Sequence, residues 1–212
     1  MQGHRKLCPC KIYSISMNWI VDNIIEIIGT IAGLVFLYLE IKQNKWLWPV
    51  GLLTSVMYIY VFFVAKLYAD MSLQFYYVFI SIYGWIIWSK GASQKELPVC
   101  RLSKELFLIL FGVSMLIYAV ISYVLVVYTD GSIPYWDAFT TALSIVATWM
   151  LARKILEQWL VWVIVNAVSL GLYIYKGLYP TSILFFFYTV LAVVGYMQWK
   201  KDMLLSKAVS SN

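Results

Sequence analysis

The chain has 212 residues, 63% of them hydrophobic, a mean hydropathy of +0.80 and 12% charged residues, about half the charged fraction of an ordinary soluble domain. Sixteen Lys and Arg against 10 Asp and Glu give a net charge of +6, yet these charges sit in short runs between apolar segments of about twenty residues, the length a bilayer demands. The composition excludes a water-soluble globule, and no basic stretch is long enough to follow a nucleic-acid backbone.

The elements read off in chain order as seven transmembrane helices. Residues 1–16 form a polar extension without the apolar core of a secretory signal, and Met17, directly before the first apolar run, is an alternative start, so the sequence leaves translation of 1–16 open. Helix one is predicted at 20–41, with Asp22 and Glu26 in its first turns, and helix two at 46–64, with Trp48, Thr54, Ser55 and Tyr58. Helix three, at 71–89, places Gln74, Tyr77 and Ser81 at helical spacing on one face. A linker helix at 106–128 follows, then a short helix at 138–152 preceded by Asp137, a sixth at 159–175 and a seventh at 180–199. The transporter-like domain spans 17–205, and 206–212 is a tail.

The loops divide by sign. Taking alternate sides, 11 Lys and Arg fall on the side of the C-terminus and 5 on the other. The positive-inside rule therefore predicts a cytoplasmic C-terminus and an outside N-terminus.

An internal repeat is the strongest organising signal. At an offset of 111, residues 26–90 align with 137–201 without a gap, and about a dozen positions are identical. They include Thr30 with Thr141, Trp48 with Trp159, Tyr77 with Tyr188, Gly84 with Gly195 and Trp88 with Trp199, while Glu26 falls opposite Asp137. Repeat one (20–90) and repeat two (137–201) each hold three helices, so the unmatched helix 106–128 reverses the second copy and makes the halves parallel. This is the three-plus-one-plus-three plan of SWEET-like carriers, with a substrate site near the midplane between the halves.

The candidate site follows from polar and aromatic side chains at membrane depth. Trp159, Trp162 and Asn166 lie along one stripe of helix six, and Asn166, about 10 Å inside the helix end at 1.5 Å per residue, needs partners other than lipid. Trp159 reads equally as a member of the interfacial aromatic belt, and Asn166 as an interhelical hydrogen bond. Gln74, Tyr77, Ser81 and Thr54 are the counterparts from repeat one. Glu26, Asp137 and Trp48 are assigned structural or gating roles, since carboxylates near helix starts gain from the helix dipole.

Other chemistries lack their parts. The single His4 lies in the polar extension, Cys8, Cys10 and Cys100 form no ligand set, and no phosphate-cradling Gly-Lys loop occurs. No metal or cofactor is expected. Ser144 and Ser169 have no histidine to activate them, which disfavours an intramembrane enzyme, and asymmetric aromatics suit a solute site better than the symmetric rings of a channel.

These residues resemble the bacterial PnuC-type vitamin transporters. The resemblance rests on Glu26 to Leu34, Leu73-Gln74, Tyr83-Gly-Trp85, Trp136-Asp137, Leu143 to Ala147, Arg153-Lys154 and Trp159-x-x-Trp162-x-x-x-Asn166. It implies a SWEET-like seven-helix fold in the inner membrane and facilitated diffusion of nicotinamide riboside. It also implies vitamin contacts from Trp159, Trp162, Asn166 and Gln74, and trapping by a cytosolic vitamin kinase. The chain departs from the riboside carriers where Ser81 and Thr54 stand in place of Asn. A thiamine carrier is the alternative, and riboflavin a more distant one. The sequence leaves association into a homo-oligomer open.

Overall fold

A computed structural model describes residues 30–64, 68–90, 97–129 and 133–210. Among them are seven helices and no strand: α1 (Thr30–Ile41), α2 (Leu47–Val64), α3 (Tyr68–Lys90), α4 (Lys104–Tyr128), α5 (Pro134–Ala152), α6 (Gln158–Tyr175) and α7 (Tyr179–Ser210). Among the described residues, stretches long and apolar enough to cross a membrane occur in α3, α4, α6 and α7, and the described parts of α1 and α2 are shorter apolar helices. The extension 1–16, Asp22 and Glu26 lie outside the described residues.

Two boundaries differ from the apolar runs that predicted them. α5 begins at Pro134 rather than 138, because proline's fixed φ and missing N–H suit a first helical turn even where the sequence is not yet apolar. α7 continues past the predicted end at 199 and through the predicted tail to Ser210. Lys200, Lys201 and Asp202 interrupt the hydropathy but not the helix, since Trp199 and Met203, four residues apart, both remain buried on one face.

The two repeats build the same unit. α2 packs against α3 and α6 against α7, while α3 meets α5 across the centre and α4 lies against α5. In the first unit Trp48 sits over Gly84 and meets Trp88 edge-on, with centroids 5.6 Å apart at 88°; in the second Trp159 sits over Gly195 and meets Trp199 at 5.6 Å and 86°. A Cβ on either glycine would fall well inside the van der Waals surface of the indole above it. Only glycine lets the ring lie flat on the helix backbone.

The units also clasp each other reciprocally. Trp88 Nε1 donates to the carbonyl of Ala152 and Trp199 Nε1 to that of Glu40, each at 3.1 Å. Each repeat's last helix thus satisfies a carbonyl at the end of the other repeat's first helix, where the ladder runs out of its own donors. A crossed pair of this kind requires the two bundles to stand the same way up, so the architecture is the parallel three-plus-one-plus-three arrangement.

The segment before α4 is strapped to the turn between α5 and α6. Cys100 N donates to Lys154 O at 3.0 Å, Leu156 N to Cys100 O at 2.9 Å, and Leu102 N to a Glu157 carboxylate oxygen at 2.8 Å.

Candidate functional site

A cavity of about 310 Å³ lies between the two units. Five helices form its walls, three from the first repeat and two from the second. Ala32, Gly33 and Phe36 come from α1; Trp48, Gly51, Thr54, Ser55 and Tyr58 from α2; Gln74, Tyr77, Ile80 and Ser81 from α3. Thr148 and Leu151 of α5 and Trp162 of α6 close it from the second unit.

The repeats differ at several of the positions that line this cavity, and one of these differences bears on its size. Gly51 and Trp162 correspond at the offset of 111. The first unit has no side chain where the second projects an indole. A Cβ at Gly51 would stand 3.0 Å from Phe36 and 3.3 Å from Ser81 Oγ, so even a methyl group there would intrude on the lined space.

The polar inventory of the walls is specific. Thr54 Oγ1 donates to Val50 O at 2.7 Å and Thr148 Oγ1 to Ser144 O at 2.8 Å, so both hydroxyls spend their proton on their own helix and face a ligand as acceptors. The indole nitrogens of Trp48 and Trp162 are buried donors with no partner among the described residues. An unmet N–H in an apolar interior costs about 1–3 kcal/mol, and the indole nitrogen of Trp159, outside the cavity, is buried and unpartnered in the same way. Among the described residues no Asp, Glu, Lys or Arg lines the cavity.

Of the sequence-predicted residues, Trp162, Gln74, Tyr77, Ser81, Thr54 and Trp48 are brought together in these walls. Trp159 and Asn166 are not. Both are buried, and Trp159 packs against Gly195 and Trp199 of α7. The helical angle explains the separation: Asn166, seven residues on, falls within about 20° of Trp159, whereas Trp162 is rotated by about 60° from it. Asp137 lies in the first turn of α5, 3.9 Å from Lys176 Nζ and away from the cavity. Phe36, Gly51 and Thr148 were missed in the sequence. The mismatch of Gly51 with Trp162 within the repeat was the signal available for one of them.

Residues 23–201 match the family described as the nicotinamide mononucleotide transporter. The chain belongs to that family. It is 30% identical over 201 residues to the nicotinamide riboside transporter PnuC of Escherichia coli, covering 82% of this chain and 84% of the relative. It is 24% identical over 178 residues to the riboflavin/roseoflavin transporter RibM of Streptomyces davaonensis, covering 82% and 83%. The fold matches a crystal structure of the vitamin B3 transporter PnuC with a TM-score of 0.69 at 23% identity, covering 91% of this chain and 87% of that one. The PnuC-type family and its helical membrane fold, expected from the sequence, are therefore established, and the chain is a multi-pass membrane transporter of the vitamin-carrying kind.

Proposed function

We propose that the chain carries a flat aromatic vitamin, chiefly nicotinamide riboside, into the bacterial cell across the inner membrane. The observation that carries this reading is the meeting of Trp162, Gln74 and Tyr77 in one cavity that no charged side chain lines among the described residues. An indole face attracts an aromatic cation by about 0.5–2 kcal/mol, and the Gln74 amide can both donate to and accept from a carboxamide or ribose hydroxyl. Trp159 and Asn166 then support the site through α6 and α7 rather than touching the cargo.

Charge narrows the cargo further. A phosphate in this cavity would meet no Lys or Arg among the described lining residues, and an unpaired buried anion is strongly disfavoured. The riboside suits the walls; the mononucleotide does not. Size favours one ring and a sugar over a three-ring isoalloxazine, since about 310 Å³ lies at the lower end of the usual range for ligand pockets. Thiamine and riboflavin are the alternatives that a binding series separates.

With no phosphate-cradling loop in the sequence, transport is facilitated diffusion, in which the two units rock about the cavity. The C-terminus and the lysine-rich loops face the cytoplasm, where a vitamin kinase phosphorylates the cargo and prevents its return. Counterflow of labelled nicotinamide riboside in proteoliposomes tests the reading. Exchange without accumulation above the outside concentration is expected, and accumulation driven by an imposed proton or sodium gradient in vesicles lacking kinase and ATP would contradict it.

A further inference from the structure

We propose that a second, larger cavity, at the lysine-bearing end of the bundle, binds a phosphate-bearing anion. It has a volume of about 650 Å³ and shares no lining residue with the cavity described above. Both repeats contribute: Lys42 and Lys45 come from the turn after α1, Lys154 from the equivalent turn after α5, and Asp202 from α7.

Among the described lining residues the cationic side chains outnumber the anionic ones. Three ammonium groups line it against one carboxylate, and that carboxylate is engaged by neutral donors, accepting from Gln43 Nε2 at 2.9 Å and from Gln198 Nε2 at 3.0 Å. Among the described residues no carboxylate stands within 4.0 Å of Lys42 or Lys45. Lys154 is the fixed member. It is buried, with Nζ 3.3 Å from Gln43 Oε1 and 4.5 Å from the centre of the Trp88 ring. Its backbone φ of 52° is a left-handed conformation uncommon for a residue with a side chain.

One ammonium is thus preset in the wall, while Lys42 is exposed and Lys45 half-buried at the rim. A phosphate group offers several oxygens that can accept from more than one ammonium at a time, in charge-assisted bonds stronger than neutral ones. The same chemistry is presented by a soluble phosphate ester and by the headgroup of an anionic lipid. Either would bridge the turn of one repeat to the turn of the other and hold this end of the bundle closed. Trp88, in the wall of this cavity, meets Trp48, in the wall of the other, edge-on at 5.6 Å. The two sites are therefore separated by one indole pair.

The test is thermal unfolding of the purified full chain in nanodiscs, with potassium chloride matching ionic strength throughout. In phosphatidylcholine discs inorganic pyrophosphate is titrated; in a second arm phosphatidylglycerol replaces part of the lipid and no pyrophosphate is added. A saturable rise in Tm in either arm is expected, the responding arm naming the source. The K42Q/K45Q variant should need at least tenfold more of the responding anion, and K42R/K45R should retain the response. A folded protein with no rise in either arm, or an equal rise in K42Q/K45Q, would overturn the proposal. Neither result bears on vitamin binding, which is read separately by titration of the same discs with nicotinamide riboside.

Discussion

Gln43 and Lys154 are related by the repeat offset of 111, share a left-handed backbone φ of 52°, and touch each other, with Lys154 Nζ donating to Gln43 Oε1 at 3.3 Å. Among the described residues they are the only non-glycine residues with positive φ. Each ends the first helix of its own repeat, so their contact marks the place where the pseudo-twofold axis passes through the bundle. A double-mutant cycle with Q43A and K154A should return a coupling of about 0.5–1.5 kcal/mol in detergent unfolding, the size of one intramolecular hydrogen bond. Strict additivity would mean that the contact holds nothing together.

The glycines beneath the two tryptophans separate stability from binding. G84A and G195A each push an indole off its helix, an overpacking that costs about 1–3 kcal/mol, seen as a lower Tm. Trp48 lines the inter-repeat cavity and Trp159 does not. G84A should therefore also weaken riboside binding several-fold, whereas G195A should leave the Kd of the folded fraction near that of the unaltered chain.

Gly51 keeps the cavity open. A methyl group there, 3.0 Å from Phe36 and 3.3 Å from Ser81 Oγ, should lower riboside affinity about tenfold, roughly 1.4 kcal/mol, with a smaller loss in Tm than G84A gives. Isothermal titration of G51A in nanodiscs measures it, and unchanged affinity would place the cargo elsewhere.

Much of this architecture was legible beforehand because a bilayer and a repeat constrain a sequence twice. Apolar runs of membrane length gave the helices, and the matched Trp48 and Trp159 revealed the duplication. Within the site, Gln74, Tyr77 and Trp162 could be found because polar and aromatic groups at membrane depth need a reason to be there. Trp159 and Asn166 could not be separated from Trp162 by spacing alone: three and four residues both read as one face, and only the packing of α6 against α7 shows that the rotation of about 60° carries Trp162 alone to the cavity. The start of α5 at Pro134 and the length of α7 were hidden because hydropathy reports lipid, not helix. The inter-repeat bonds of Glu40, Gln43, Lys154 and Gln158 were hidden because polar residues at helix ends and in turns look solvated until two such ends meet.

Cys100 supplies a pH test of the strap before α4. Burial, with the nearby Glu157 carboxylate adding to it, pushes its thiol above the ordinary thiol range. A raised value means a smaller thiolate fraction at any given pH. Labelling by iodoacetamide at pH 8 should be slower than for an unhindered thiol and should climb with pH beyond that range; E157Q should move the profile downward. A profile matching a free thiol would show that neither partial burial nor the Glu157 carboxylate acts on this sulfur.

The central claim is that the inter-repeat cavity selects an aromatic vitamin without phosphate. Isothermal titration of the purified chain with nicotinamide riboside and with its mononucleotide tests it most directly, with W162F run alongside to remove one indole N–H while keeping a ring. The account predicts that the riboside binds at least a hundredfold more tightly than the mononucleotide and that W162F weakens it several-fold. Equal or tighter binding of the mononucleotide, or a W162F titration indistinguishable from that of the unaltered chain, would contradict it.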